Sequence, residues 1–279
     1  MNRKLFCQIS PLTYRISTRK CQLIRNISDG ICQLRGVRFA ATRDTNPLPT
    51  RIYQHQSLIR RKLGKVDMTL QENKAVNLSL AAPLVNGILI RPGETFSFWR
   101  LVGDTTAEKG YKTGLTIAGN VPSQGIGGGL CQFTNLIHWI VLHTPLTIVE
   151  HHHHDGLDLF PDFGRQIPFG TGTSILYNYK DYRFRNDTPL TYQLLIHVGD
   201  RYLSGELRAS APQPYRYHIY AENEYFSRED GVVYRNGTIL RDTIDPVTGN
   251  HIKRETIRVN HARVLYNTDH LTIIDVTHS

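Results

Sequence analysis

The residues of this chain best placed to do chemistry are a cysteine and the glycines in front of it. Gly127, Gly128 and Gly129 precede Cys131 in GIGGGLCQFTNLIHWIVLHT (125–144), and apolar residues after the cysteine recur at the spacing of a buried helix face. Cys131 is therefore expected in a first helical turn, where the dipole and unpaired amides favour the thiolate and lower its pKa. Those amides could also stabilise an oxyanion, which predicts acyl transfer. The alternative is a cysteine that packs as a small apolar side chain.

A cysteine nucleophile requires a base, most often a histidine, within hydrogen-bonding reach. His138 lies on the same face of the predicted helix, but a rise of about 1.5 Å per residue puts it about 10 Å from the cysteine along the axis. His143 is further away. The base is therefore expected in EHHHHD (150–155), which follows a short apolar strand, LTIV (146–149), that can fold back beside the start of the helix.

The four consecutive histidines alternate between two faces if the segment is extended. His151 and His153 then share one side, and His152 and His154 share the other. Either pair could ligate a metal with help from a neighbouring carboxylate, but two imidazoles without a fixed third ligand make a weak site. Neither a metal nor another cofactor is expected. A His-rich metal-binding protein and an exposed polar loop are the alternative interpretations.

The positive charge of the chain is concentrated at its N-terminal end. The net charge is +9, yet residues 1–66 hold 14 of the 33 Lys and Arg residues and only two acids, Asp29 and Asp44. A basic segment of this kind can bind an anionic membrane surface by charge alone. No nucleic-acid motif accompanies it, so nucleic acid is not expected as a partner. The alternative is a solvated basic face.

Neither a secretory signal nor a membrane span is expected. The first residues, MNRKLFCQISPLTYRIS, are interrupted by polar residues and Pro11 before an apolar run can form, and no later stretch approaches the roughly 20 apolar residues of a span. The cysteines show neither a disulfide framework nor zinc-site spacing; they are Cys7, Cys21, Cys32 and Cys131. We expect a cytoplasmic protein, with a peripheral position at the membrane as the variant that the basic segment would permit.

Three parts of the chain are predicted: a basic N-terminal arm (1–50), a core domain (51–211) and a β-rich C-terminal extension (212–279). Two main helices are expected in the core. The first helix is predicted from apolar residues at helical spacing, and the second is the one that follows the glycines. The residues that predict the first helix are Ala75, Leu78, Ala82 and Val85.

Alternating patterns after residue 170 predict strands and hairpins, with tight turns at Gly199-Asp200 and Asn236-Gly237. Two helices among many strands predict an α+β fold with a mixed or antiparallel sheet and a β-rich C-terminal part.

Five motifs occur in order between about residues 70 and 200. They are IRPGETFSF (90–98), GGGLCQ (127–132), EHHHHD (150–155), PDFGR (161–165) and DYRFRN (181–186). In these motifs the chain resembles the VanW family, which is associated with resistance to vancomycin. Some members of the wider family are exported, carry cell-wall-binding modules and act as peptidoglycan transpeptidases through the cysteine of GGGxCQ.

The resemblance implies roles for individual residues. Cys131 would attack a carbonyl of a peptidoglycan stem peptide or precursor, and His152 or His154 would act as its base. The loop that binds the oxyanion would comprise Gly127, Gly128, Gly129 and Gln132. This chain differs from the transpeptidases because no export signal is recognised and His151 stands where many relatives carry arginine. A non-catalytic accessory or binding protein of the resistance system is the alternative function.

Polar residues after the histidines are further candidates for substrate binding. Arg165 could clamp a substrate carboxylate through two parallel hydrogen bonds, or it could pair with Asp162 or Asp181. Asp181 and Arg183 share a strand face, so a structural ion pair is the main interpretation for them. Asn186 lies at the end of the same strand, where a turn is expected.

Overall fold

The computed structural model describes residues 9–61, 67–118, 121–153, 156–162, 164 and 166–276. The helices are α1 (Pro11–Leu34), α2 (Met68–Val85), α3 (Phe98–Val102) and α4 (Cys131–Leu142). The strands are β1 (Arg38–Phe39), β2 (Thr50–Leu58), β3 (Ile88–Ile90), β4 (Glu94–Ser97), β5 (Thr113–Ala118), β6 (Val121–Ile126), β7 (Thr147–Glu150), β8 (Leu157–Asp158), β9 (Arg183–Arg185), β10 (Tyr192–Val198), β11 (Tyr202–Ala209), β12 (Arg216–Glu229), β13 (Val232–Ile244), β14 (His251–Val264) and β15 (Ile273–Asp275).

The described strands form several separate sheets. A central antiparallel sheet has the order β2-β11-β10-β3, a second sheet has the order β1-β4-β9-β7, and a third has the order β15-β12-β13-β14-β8. Strands β5 and β6 form a hairpin of their own. Helices combined with several sheets of mixed and antiparallel pairing confirm the predicted α+β class.

Two helices, α2 and α4, pack on the central sheet, and both were predicted from periodicity, whereas α1, the longest of the described helices, was not predicted. α2 contacts β10, and α4 contacts β11 and β2. Asp67 precedes α2 and caps it, since its side chain accepts from the Thr69 N–H at 2.8 Å. The helix continues through Pro83 to Val85. Gly205 lets α4 lie close to β11, since a Cβ at this position would overlap the Ile140 side chain.

Buried ion pairs, rather than an apolar interface, attach α1 to the second sheet. The guanidinium of Arg183 donates two hydrogen bonds to Asp29 of α1, each 2.7 Å long, and its Nε donates to Asp181 at 2.7 Å. Asp181 also accepts from the Ser97 hydroxyl at 2.5 Å and from the Trp99 N–H at 3.0 Å. The structural ion pair predicted for Asp181 and Arg183 is confirmed.

The C-terminal sheet is joined to the core in two ways. β8 precedes residue 211 in the chain, yet it pairs in parallel with β14. In addition, an apolar cluster joins α4 to β12 and β13 and consists of Trp139, Leu142, Ile219 and Ile239. The C-terminal extension is therefore packed against the core, and the boundary at residue 211 stays a prediction.

The hairpin turn predicted at Asn236-Gly237 is wrong. Both residues lie within β13, where Asn236 is buried and donates to the Ser227 hydroxyl at 2.8 Å. The chain instead reverses at Asp230-Gly231, whose φ angles are 48° and 77°. Positive φ at both central positions suits a tight hairpin. The buried hydrogen bond holds the Asn-Gly pair inside the strand. The Gly199-Asp200 turn between β10 and β11 is confirmed.

Arg183→Gln is expected to lower the free energy of unfolding by about 3 to 5 kcal/mol, because it leaves the buried carboxylates of Asp29 and Asp181 without their cation. The matched control is Arg185→Gln, two residues further along β9. Its pair with Asp187 is exposed and contributes at most about 1 kcal/mol. Urea unfolding of both variants measures the difference, and equal losses would contradict a special role for the buried network.

Candidate active site

A cavity of about 310 Å³ lies at the N-terminal end of α4. One wall comes from α2, β5, α4 and the histidine segment, and the opposite wall comes from β14 of the C-terminal sheet. Its volume is at the lower end of the range for small-molecule pockets. A larger depression of about 710 Å³, lined by Gln54, His197 and Glu206, contains none of the residues with predicted chemistry. The smaller cavity is therefore the candidate site.

Cys131 is the first residue of α4, as predicted, and lies half-buried in the cavity wall. Burial raises the pKa of the Cys131 thiol, although backbone N–H groups of Ile175 and of Cys131 itself donate to the sulfur and act in the opposite direction. The predicted lowering of the thiol pKa is therefore wrong, because the loss of solvation outweighs the effect of the helix N-terminus. A thiol in this position needs a base to form the thiolate.

All three glycines before Cys131 are required by close packing, and a Cβ on Gly127 would overlap the side chain of Thr105. A Cβ on Gly128 would overlap the backbone of Gly114, and a Cβ on Gly129 would overlap the side chain of Lys74. Gly129 also has a positive φ of 91°, which glycine adopts without strain. The loop can therefore lie flat against β5 and α2 only without side chains.

The amides of Gly127 and Gly128, predicted as oxyanion donors, already donate to backbone carbonyls. The Gly127 N–H donates to the Lys112 carbonyl at 3.0 Å, and the Gly128 N–H donates to the Gly125 carbonyl at 3.1 Å. This geometry does not support an oxyanion role for either amide. Of the three glycines, Gly129 lines the cavity.

Gln132, the last residue of the GGGLCQ motif, lines the cavity with an unsatisfied acceptor. Its Nε2 donates to the Ser57 hydroxyl and to the Leu58 carbonyl, both at 2.8 Å. Its Oε1 is buried and has no hydrogen-bond partner among the residues that the structure describes. A buried acceptor without a partner costs about 1 to 3 kcal/mol.

Residues 171–175 connect the start of α4 to the histidine segment. The Thr173 N–H donates to the Asn135 side chain of α4 at 2.6 Å, and the Ser174 N–H donates to the His152 carbonyl at 2.7 Å. The next amide, that of Ile175, donates to the Cys131 sulfur. Sequence patterns indicated only a strand here. The segment holds the histidines beside the thiol.

The histidines that face the cavity side are His151 and His153. His153 lines the cavity together with Cys131. Its ring centroid lies 3.9 Å from that of His151, which in turn lies 4.0 Å from that of the buried His138. Burial, with smaller contributions from His151 and His153, holds the pKa of His138 well below its ordinary value. His138 is therefore a neutral packing residue near pH 7.

His152 lies on the other face of the segment, with its Nε2 2.9 Å from Oε1 of Glu150. Glu150 also pairs with Arg25 of α1 at 2.6 Å. His152 therefore faces Glu150 and Arg25 of α1, and it is not among the residues that line the cavity. The geometry does not support His152 as the base of Cys131. His154 lies outside the described residues.

Three of the candidate substrate contacts have structural roles. Asp181 and Arg183 belong to the buried network with α1, and Asn186 is fully buried. The Asn186 side chain donates to the Ile90 carbonyl at 2.8 Å and thereby fixes the turn after β9. None of the three lines the cavity. Arg165 lies outside the described residues.

Lys74 of α2 is a cavity residue that the motifs did not indicate. Its side chain is buried, and Nζ donates to the Gln71 side chain at 2.7 Å. Burial lowers the pKa of Lys74 to about 7, with smaller contributions from the charges of Arg61 and Arg60. Its position four residues before Leu78, on the apolar face of the predicted helix, was a signal that could have identified it.

The opposite wall of the cavity holds Arg258 and Asn260 of β14. Nε of Arg258 donates to the Asn260 side chain at 2.9 Å, and Asn260 donates to the Phe169 carbonyl at 2.9 Å. Gly170 is required because a Cβ there would overlap Asn260. No local pattern in the sequence could have connected β14 with the cysteine. Its residues reach the site through long-range contacts, which include the pairing of β14 with β8 and the hydrogen bond from Asn260 to the Phe169 carbonyl.

The described residues contain no group of three or more His, Cys, Asp or Glu side chains that could hold a metal ion. His154 and Asp155, which belong to the same motif as His152, are outside that part of the chain.

Comparison with known proteins places the chain in a family. The family described as VanW like protein matches residues 73–208. The vancomycin B-type resistance protein VanW of Enterococcus faecalis is 35% identical over 269 residues, which cover 95% of each chain. The chain belongs to the VanW family. The uncharacterized protein YoaR of Bacillus subtilis is 31% identical over 118 residues, which cover 41% of this chain and 36% of that protein. No solved structure matches the chain.

The VanW match includes the glycine loop, Cys131 and the histidine segment, so the family's shared region carries one wall of the cavity. Arg258 and Asn260 lie beyond residue 208 and hence outside the family match. The wall that they form therefore lies outside the family match, whereas the alignment with the enterococcal protein covers 95% of the chain.

Alkylation of Cys131 by iodoacetamide is expected to become fast only at a higher pH than in the unfolded chain, because burial raises the pKa of the thiol. The rate is measured as a function of pH in a variant whose other cysteines, Cys7, Cys21 and Cys32, are replaced by serine. The control is the same variant unfolded in urea, and the midpoint of its alkylation rate against pH should lie at the ordinary thiol pKa. A native midpoint below that of the unfolded chain would contradict the prediction.

Proposed function

We propose that the protein is a cysteine-dependent acyl transferase that acts on peptidoglycan peptides or their precursors and thereby takes part in resistance to glycopeptide antibiotics. The observation that carries the proposal is that Cys131 and His153 line the same cavity. The link to resistance rests on the enterococcal relative, which is named a vancomycin B-type resistance protein and aligns with nearly the whole chain.

In the proposed reaction, His153 accepts the thiol proton as the Cys131 sulfur attacks the carbonyl carbon of a peptide bond. The tetrahedral intermediate collapses to a thioester, and the leaving amine takes the proton from the imidazole. Water or an acceptor amine then attacks the thioester, and its proton passes through the imidazole back to the sulfur. Because the pKa of the resting thiol is raised, it stays protonated until a substrate is in place.

The charges around the cavity favour a peptide with a free carboxylate. Arg258 contributes a cation from one wall, and Lys74 on the opposite wall, whose pKa burial lowers to about 7, would be held protonated by a bound carboxylate. Asp158 also lines the cavity, but its carboxylate accepts from the Tyr266 hydroxyl at 2.8 Å and lies 3.6 Å from Arg235. Hydrogen bonds between cations and carboxylates are stronger than those between neutral groups. The proposed substrate therefore places its terminal carboxylate between α2 and β14.

A peptide-binding protein without turnover is the second candidate function. The raised thiol pKa and the engagement of the Gly127 and Gly128 amides favour it. The same cavity would then hold the peptide through Gln132, Lys74 and Arg258, and Cys131 would be a packing residue.

Cys131→Ala is expected to abolish the covalent thioester that forms when the protein is mixed with a peptidoglycan stem peptide. His153→Gln should slow its formation by about 100-fold or more, because general-base catalysis contributes at least that much. His152→Gln is the matched control and should retain the rate. Intact-protein mass spectrometry after acid quenching measures the adduct.

Two outcomes would contradict the proposal, the first for the assigned base and the second for catalysis itself. Loss of the adduct in His152→Gln but not in His153→Gln would contradict the assigned base. Binding of the peptide by both wild type and Cys131→Ala, without an adduct in either protein, would favour the non-catalytic function.

Arg258→Gln is expected to weaken the binding of a stem peptide with a free carboxylate by about 10- to 100-fold, the usual effect of a hydrogen bond to a charged group. Binding of the same peptide with an amidated C-terminus should change little. Arg263→Gln, an exposed position on the same strand outside the cavity, is the control. Calorimetric titration measures the affinities, and an equal effect of Arg258→Gln on both peptides would argue against carboxylate recognition.

A further inference from the structure

The helix α1 docks on the protein through its polar face. Gln22 donates to the Tyr177 carbonyl at 3.4 Å, Arg25 pairs with Glu150 at 2.6 Å, and Asp29 accepts from Arg183 at 2.7 Å. Successive residues of a helix are about 100° apart, so these docking residues form a single stripe. The apolar residues of α1 lie on another side of the helix, so they do not face the body of the protein.

The opposite face of α1 is apolar and exposed. Its large side chains lie on one stripe and are between 44% and 91% exposed; they are Leu12, Ile16, Leu23, Ile24, Ile27, Ile31 and Leu34. An amphipathic helix of a globular protein ordinarily turns such a stripe towards the core. α1 has the reverse orientation, and a contiguous exposed apolar patch of this kind marks an interaction surface.

The charges beside the apolar stripe are positive. Arg15, Arg19 and Lys20 are exposed on α1. The one acid of the helix, Asp29, is buried against Arg183. Arg35 and Arg38 follow directly after the helix and are also exposed. The surface that α1 presents is therefore apolar at its centre and cationic at its border.

We propose that α1 lies in the interface of an anionic lipid bilayer, with its apolar stripe inserted below the headgroups. Interfacial helices combine an apolar stripe with Lys and Arg, and each cation near an anionic surface adds to the attraction. Lys20 lies within the stripe, where its long side chain can extend to the phosphates. No helix formed by the described residues is both long and apolar enough to span a bilayer.

A second copy of the chain fits this surface less well. A paired helix would need apolar residues at alternating steps of three and four. Along α1 the seam of that spacing that runs the length of the helix includes Lys20 and Gly30 beside Ile16, Leu23, Ile27 and Leu34, and the wholly apolar seam of Ile24, Ile27, Ile31 and Leu34 covers only the last 11 residues. A buried lysine and a glycine in a short seam disfavour a helical pair, whereas both are compatible with a lipid surface.

The membrane position would also bear on the cavity. Arg25 of α1 holds Glu150, the residue that begins the histidine segment. The docked helix is thus attached to the same segment that carries His153, so a bilayer-bound α1 would hold the candidate site close to the membrane.

The test is flotation of the full chain with vesicles of equal parts phosphatidylglycerol and phosphatidylcholine, compared with phosphatidylcholine alone. We expect binding to the anionic vesicles, at least tenfold weaker binding to the neutral ones, and release by high salt. Leu23→Glu/Ile27→Glu should abolish binding without unfolding the protein, because both side chains are exposed. Arg19→Gln/Lys20→Gln should weaken binding several-fold and reduce its salt dependence.

The matched control is Val247→Glu/Ile252→Glu, which adds the same charges at exposed apolar positions of the C-terminal sheet. It should bind the anionic vesicles like wild type, and an unchanged thermal midpoint shows that each variant is folded. Equal binding of wild type and Leu23→Glu/Ile27→Glu would overturn the proposal. So would a dimer in lipid-free solution that Leu23→Glu/Ile27→Glu dissociates, because the stripe would then be covered by a second copy.

Discussion

The buried guanidinium of Arg183 is the interaction on which the arrangement of this protein depends. A buried cation is tolerated only when carboxylates surround it, and Asp29 and Asp181 do so from different parts of the chain. Asp181 in turn accepts a hydrogen bond from the Trp99 N–H, which fixes the start of α3. Glu150, 3.5 Å from the same guanidinium, begins the histidine segment. One charge thus sets the positions of α1, α3 and the chain that leads to the cavity.

Close backbone packing is the second constraint, and it gives the glycines a different meaning from the one their sequence suggests. The run before Cys131 is typical of a loop whose amides bind an anion. In the structure those glycines let the loop lie against β5 and α2. Two of their amides donate hydrogen bonds to backbone carbonyls. The polar groups that remain for a ligand come instead from side chains, chiefly Gln132 and Lys74.

Local patterns predicted the parts of the fold that local forces determine. The helices α2 and α4 were evident from periodicity, and Cys131 was correctly placed in the first turn of α4. The choice between His152 and His153 depends on which face of the histidine segment is turned towards α1. No spacing within EHHHHD contains that information. The turn at Asp230-Gly231 was missed because Asn236-Gly237 is an equally good turn sequence. Arg258 could not be predicted, since only long-range contacts of β14 bring it to the site.

The pairing of β8 with β14 has a consequence for how the protein is made. The thiol, the glycine loop and the histidine segment all leave the ribosome before β14 is synthesised, since the chain grows from its N-terminus. Until the last strands are in place, the cavity has one wall and the thiol faces an open groove. The chain through β14 is therefore needed to enclose the cavity, and a protein shortened before β14 would carry the thiol and the histidine segment in an open groove.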